Sequence, residues 1–259
     1  MNRILGPFNL GINQEVGLLV DGFDTPPYFL MGHAQPYYGG RLEALGYRGC
    51  QDMLAYLSPP DFELPKLFAR QLRKVEKEAV IRPLDRSRKA EELEAVRDIF
   101  NDAWSENWSF VPFTAEEFEA VGNELMYVVP EDLAMVAEVD GRPAGFIVMV
   151  PNLNEIIAGM GGKLLPFNWA KLLWKLKIKF PSTARVPLMG VRKEYHHSTL
   201  GPSLAIALID KVRKTSHARG VRMVETSWIL EDNDGMRKIM EHIGGEVSKR
   251  YRMYEKQLA

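Results

Sequence analysis

Two carboxylates in the last quarter of the chain, Glu225 and Glu231, are placed to take a proton. Glu225 stands between Val224 and Thr226 in an apolar run that reads as a central strand. An unpaired carboxylate there would be costly, so it needs a partner or a function. Glu231, followed by Asp232, falls at the end of the same run, and ligands of α/β sheets sit beyond the carboxyl ends of strands. His196 and His197 could also exchange protons near neutral pH, although a polar turn with two histidines is equally what a solvated loop contains. Just before them, an apolar run over 186–191 is broken by Pro187 and Gly190, an irregular buried strand. Just after them, Leu200, Leu204, Ala207, Leu208 and Val212 recur at helical spacing. The start of that helix, around Gly201-Pro202-Ser203, offers unpaired N–H groups and the positive end of a dipole, which suit a phosphate. The glycine can equally be a plain cap. No further His, Asp or Glu set lies at metal-ligand spacing, so no metal is expected.

These groups must be held by a folded core, and the composition provides one. The chain has 259 residues, 46% apolar and 26% charged, as ordinary globular proteins do. A net charge of −1 gives no overall pull towards DNA or anionic membranes, so such a partner must rest on a local patch. The single Cys50 excludes an intramolecular disulfide and any Cys-rich metal site. Residues 1–10 lack the apolar segment of a signal peptide, and no window of about 18 uncharged apolar residues occurs, so a cytoplasmic location is expected.

The elements follow in order. An apolar run at 16–20 predicts a strand, 31–47 a helix closed by Gly46, and 52–57 a strand. The segment 58–79 opens on Ser-Pro-Pro and carries seven charges over 64–78, which predicts a solvated linker helix. Beyond it come a strand at 79–83, an amphipathic helix at 91–108, and a helix at 114–125 opened by the capping-box pattern Thr114…Glu117. A hairpin at 133–139 and 145–150 turns on Asp140-Gly141. After an insert come the irregular strand and its helix, a strand at 222–230, a helix at 233–243 and a strand at 246–254.

This β-α-α-β-β-(insert)-β-α-β-α-β order over 80–259 resembles that of the GNAT acyltransferase superfamily. The segment Ser198-Thr199-Leu200-Gly201-Pro202-Ser203 stands where that family has a Gln/Arg-x-x-Gly-x-Gly/Ala loop, with only the first glycine kept. The segments FNDAWSENWSFVPFT, PNLNE, LLPFNWAKLLWKLK, LMGVRKEY and SWILEDN are similar to those of an uncharacterised bacterial subgroup of longer GNAT-like chains. The resemblance implies an α/β fold, a mixed central sheet flanked by helices. Residues 28–57 are similar to the last part of a GNAT domain, which divides the chain into a partial half-domain (1–57), a charged linker helix (58–79) and an acyltransferase domain (80–259). It also suggests that related proteins carry a full first domain.

For function, the resemblance implies transfer of an acetyl or longer acyl group from acyl-CoA to a small-molecule amine or amino acid. Amides of Met189, Gly190 and Val191 would hold the pantetheine arm, the turn Leu200, Gly201, Pro202, Ser203 and Leu204 the pyrophosphate, and Asn233, itself a natural N-cap, would touch CoA. The base would be Glu231 or Glu225. Where many members carry a tyrosine that protonates the leaving thiolate, this chain has Met240, whose thioether cannot donate. The acid then falls to water, Tyr251 or Tyr254. Three alternatives stay open: transfer from aminoacyl-tRNA, formation of long-chain N-acyl amino acids, and CoA binding without catalysis. A DNA partner is not implied, and a dimer stays open.

The insert is distinctive. From 156 to 193 there is no carboxylate, while eight Lys/Arg occur. Trp169, Leu172, Leu173, Leu176 and Phe180 fall on one helical stripe and Lys171, Lys175 and Lys179 on another. The plain expectation is a helix packing that stripe on the core. The sharper ones are a lid over an acyl pocket, which the near-neutral charge favours, and weak contact of 161–180 with a membrane or lipid.

Overall fold

Strands form where the apolar runs lie, yet they assemble in an order that the chain order does not suggest. The structure, a computed structural model, describes residues 2–258. Along the chain lie β1 (Arg3–Gly6), β2 (Phe8–Asn9), β3 (Glu15–Val16), β4 (Leu18–Asp21), α1 (Tyr37–Ala44), β5 (Arg48–Ser58), α2 (Lys66–Val75) and β6 (Ala79–Pro83). Then follow α3 (Lys89–Trp104), α4 (Ala115–Val128), β7 (Ala134–Val139), β8 (Arg142–Pro151), α5 (Leu153–Ile157), α6 (Asn168–Lys177), β9 (Thr183–Val191), α7 (Leu200–Ala218), β10 (Met223–Leu230), α8 (Asp234–His242) and β11 (Glu246–Gln257). The capping box of Thr114 and Glu117 forms, and Asp140 and Gly141 both take positive φ in the β7–β8 turn. The helix expected over 31–47 is only α1, because 31–36 runs as irregular chain.

One sheet runs in the order β1-β11-β5-β10-β9-β8-β7-β6, with β4 also pairing β11. Strand β5 lies antiparallel between β10 and β11, so residues 1–57 supply a central strand to the sheet that 80–259 builds. The reason is burial. Residues Met53 to Tyr56 are all apolar and nearly inaccessible, and only a strand covered on both faces can accept such a run. The 58–79 segment likewise is more than a solvated linker, since α2 buries Phe68 and Val75.

Helices cover both faces. Ile99 and Phe100 of α3 pack on one side and Leu204 and Leu208 of α7 on the other, with Gly190 turned towards Ala103 of α3 and Gly145 towards Leu208. A side chain at Gly190 would press on Phe146 and Ala103 at about 3.1–3.2 Å, so this glycine serves close packing. The irregularity of β9 lies elsewhere, at a register shift opposite Val148–Val150 that involves Val186 and Pro187.

Candidate active site

Strands β9 and β10 pair in parallel from Thr183/Met223 to Val186/Thr226 and then separate. Pro187 is the first residue past the last pair, and having no N–H it cannot continue a ladder. Beyond it the edges of the two strands are free of each other. Between them opens a cleft of ≈ 660 Å³, walled by β9, β10, the C-terminal part of α3, the start of α7 and the hairpin β2–β3.

Six of the sequence-predicted binding residues line it: Met189, Gly190, Val191, Gly201, Pro202 and Asn233. Three do not. Leu200 packs half-buried against the core, Leu204 is buried within it, and Ser203 is buried with its hydroxyl donating to the Thr199 carbonyl (2.6 Å). The start of α7 therefore presents few free amides, because Pro202 has none and the Leu200 amide donates to Ser198 Oγ (3.1 Å). Lysines stand around it instead: Lys193, ion-paired with Glu106 (2.9 Å), lines the cleft, and Lys74 of α2 donates to Thr199 Oγ1 (3.1 Å). Asn233 caps α8 by accepting from the Met236 amide (3.1 Å) while it lines the cleft.

None of the three predicted catalytic residues lines the cleft. Glu231 points to the partner strand, its Oε1 accepting from the Asp52 amide (3.0 Å). It extends the β5–β10 junction, in which its own amide donates to the Asp52 carbonyl (3.1 Å). Asp52 in turn accepts from Arg252 (2.7 and 2.8 Å) and Arg250 (2.9 Å). Burial pushes the Asp52 carboxyl up, but those hydrogen bonds outweigh it and hold the pKa below the ordinary value. Tyr251 is fully buried with its hydroxyl donating to the Gly32 carbonyl (3.2 Å), and burial raises its pKa, so it is no ready acid at the cleft. Met240 is core.

Glu225 is also fully buried, yet it is connected to the cleft. Its Oε1 accepts from Ser227 Oγ (2.8 Å), and Ser227 lines the cleft. Ser227 Oγ accepts in turn from Arg185 Nε (2.8 Å). Arg185, facing Glu225 in the β9–β10 register, is itself buried, donates to the carbonyls of Phe29, Leu30 and Ser227, and lies over the Trp228 ring. Burial raises the Glu225 pKa against the opposing pull of Arg185, and burial lowers that of Arg185 to about 10. Two buried polar atoms here have no protein partner, Glu225 Oε2 and Trp228 Nε1, and Trp228 lines the cleft. On the opposite wall the Trp104 indole donates to the Met189 carbonyl (3.0 Å).

The sequence does not mark Ser227, Trp228, Trp104 or Arg185 as site residues: Trp104 reads as a core position of the 91–108 helix and Arg185 as one of the eight cations over 156–193. Arg185 carried a signal: a lone cation between Ala184 and Val186 in a buried strand requires a buried anion, and Glu225 was the carboxylate in need of a partner.

No family model matches the chain. It is 48% identical over 258 residues to Protein YghO of Escherichia coli K12, covering 99% of this chain and 66% of that protein. It is 45% identical over 255 residues to a bacterial ceramide synthase of Caulobacter vibrioides, covering 98% of this chain and again 66% of the relative, so it spans a little less than two thirds of either protein. Among solved structures, a GCN5-related N-acetyltransferase from Sphaerobacter thermophilus superposes with a TM-score of 0.53 at 16% identity, over 88% of this chain and 59% of that one. The fold of this chain is that of the GCN5-related N-acetyltransferases, the GNAT fold.

Proposed function

We infer that the protein is an acyl-CoA-dependent N-acyltransferase that joins a fatty acyl group to the amine of a long-chain amino alcohol. The observation that carries this reading is the cleft between the splayed strands, with a free strand edge on one side and cations around the α7 start on the other. A ceramide is the amide of a fatty acid and a long-chain amino alcohol, and the 45% identity to a ceramide synthase supports that class of acceptor.

The free edge of β9 over 187–191 holds the pantetheine arm, and Lys193 and Lys74 attract the phosphates. The neutral amine attacks the thioester carbonyl; the C–N bond forms and the C–S bond breaks. Trp228 lines the cleft and its buried Nε1 has no protein partner, which leaves that donor for an oxygen of the bound reactants. The amine proton passes to Ser227 Oγ as the Ser227 proton passes to Glu225, whose raised pKa suits a base in a buried site. The thiolate is the conjugate base of a thiol of pKa about 8.5 and can leave without a dedicated acid.

The test is incubation of purified protein with palmitoyl-CoA or acetyl-CoA and sphinganine, following thiol release and the amide by mass spectrometry. Formation of N-palmitoylsphinganine is the expected result. Tight CoA binding with no amide from either thioester would replace this reading with that of a binding module.

A further inference from the structure

The insert does not behave as a lid. No residue of α6 lines the cleft, and the helix buries none of its side chains. What it shows to solvent is apolar: Leu165 and Ile178 are 73% exposed and Phe167 79%, with Trp169, Leu173 and Trp174 about half exposed. Contiguous large apolar groups left in water mark an interaction surface.

The layout of the helix identifies the partner. Asn168, Leu172, Lys175 and Leu176 are the half-buried positions of α6 that turn towards the protein. At about 100° per residue, the opposite face carries Ala170, Trp174 and Ile178, with Lys171 on one flank and Lys177 on the other. Over 161–180 the segment has five lysines and no acid. An apolar ridge with a tryptophan at its centre, flanked by cations on long stems, fits the interface of an anionic bilayer, where rings lie at headgroup level and lysines extend to phosphate. A protein partner would need to present both apolar area and many carboxylates.

The segment is also firmly rooted. Glu155 accepts from the amides and hydroxyls of both Ser182 and Thr183 (2.6–3.0 Å), and Asn152 Nδ2 donates to Thr183 Oγ1 (3.0 Å). The root lies at the N-terminal end of β9, whereas the cleft opens beyond the last β9–β10 pair, towards the C-terminal ends of these strands. A surface bound through α6 therefore meets the end of the sheet away from the start of α7. No helix among the described residues is long and apolar enough to cross a membrane.

We propose that 161–180 seats this protein on an anionic phospholipid surface. The proposal does not depend on the chemistry of the cleft. It is tested by co-sedimentation with vesicles of phosphatidylcholine alone or mixed with phosphatidylglycerol, at low and high salt. The expected result is binding to the mixed vesicles that weakens about tenfold or more at high salt, with a blue shift of tryptophan emission. Phe167→Ser with Trp174→Ser and Ile178→Ser, all at exposed positions, should abolish binding with an unchanged melting temperature. Lys171→Gln with Lys177→Gln should weaken binding to the mixed vesicles only. Absence of binding, or binding that the triple variant retains, overturns the proposal. So does a concentration-dependent dimer, or an RNA complex, that the triple variant abolishes while vesicles are ignored.

Discussion

A Cβ placed on Gly201 would stand 2.6 Å from the carbonyl oxygen of Tyr195. The turn after β9 thus lies directly on the first turn of α7, and only glycine lets the two backbones approach so closely. Gly201→Val should therefore destabilise the fold as well as disturb the cleft. Overpacking of this kind costs about 1–3 kcal/mol. At about 2–4 °C per kcal/mol for a chain near this size, the melting temperature should fall by several degrees. A variant with unchanged melting and lost CoA affinity would mean that the glycine serves the ligand alone.

Glu225→Gln and Ser227→Ala should each lower kcat by about 10²–10⁴-fold, since either change interrupts the proton path. The folded-state pKa of Glu225 is raised, so kcat/KM should climb with pH through a midpoint above the ordinary value of about 4.3, and that limb should vanish in Glu225→Gln. Stability runs the other way. A carboxyl whose pKa rises on folding contributes fully below its unfolded pKa, and that contribution is lost as pH climbs through the folded one. Thermal melts across that window should decline in wild type and stay flat in Glu225→Gln.

Glu231→Gln and Asp52→Asn should leave kcat nearly untouched. Their carboxylates bind β5 to β10 and β11. Asp52→Asn should cost about 1–2 kcal/mol, a figure reduced for the solvent that reaches both arginines. Because the Asp52 pKa is depressed, this contribution is present above its unfolded pKa of about 3.9 and is lost as pH falls through the folded value. Urea titrations at neutral and acid pH measure it.

Trp104→Phe should have opposite effects on stability and binding. The indole occupies the Met189 carbonyl, so its removal leaves that acceptor free for a ligand amide. With a net hydrogen bond worth about 1 kcal/mol, acyl-CoA should bind roughly threefold to tenfold more tightly while the melting temperature drops. Calorimetry showing weaker binding would mean that Trp104 holds the ligand itself.

Much of this was legible in the residues, but only where the signal was local. The capping box at Thr114, the Asp140-Gly141 turn and the strand-turn-helix at 183–218 each carry their information within a few positions, and each forms. The insertion of β5 between β10 and β11 does not, because its partners lie far along the chain and a buried apolar strand fits any central slot. The direction of Glu231 was unreadable for a related reason: the register of β10 against β5 shifts between Thr226 and Ile229, so simple alternation does not carry through to the strand end. Glu225 was recognisable as a costly buried carboxylate. Its route to the cleft was not, since that depends on a serine two residues away.

The placement of β5 also bears on how the chain is made. This strand leaves the ribosome well before its partners, since β10 begins about 165 residues later and β11 later still. At about 5–20 residues per second, a run that includes Met53, Leu54, Ala55 and Tyr56 waits roughly ten to thirty seconds for its neighbours. During synthesis it is an open β-edge in search of a partner, and a nascent chain of this kind should depend on chaperones until β10 and β11 have emerged.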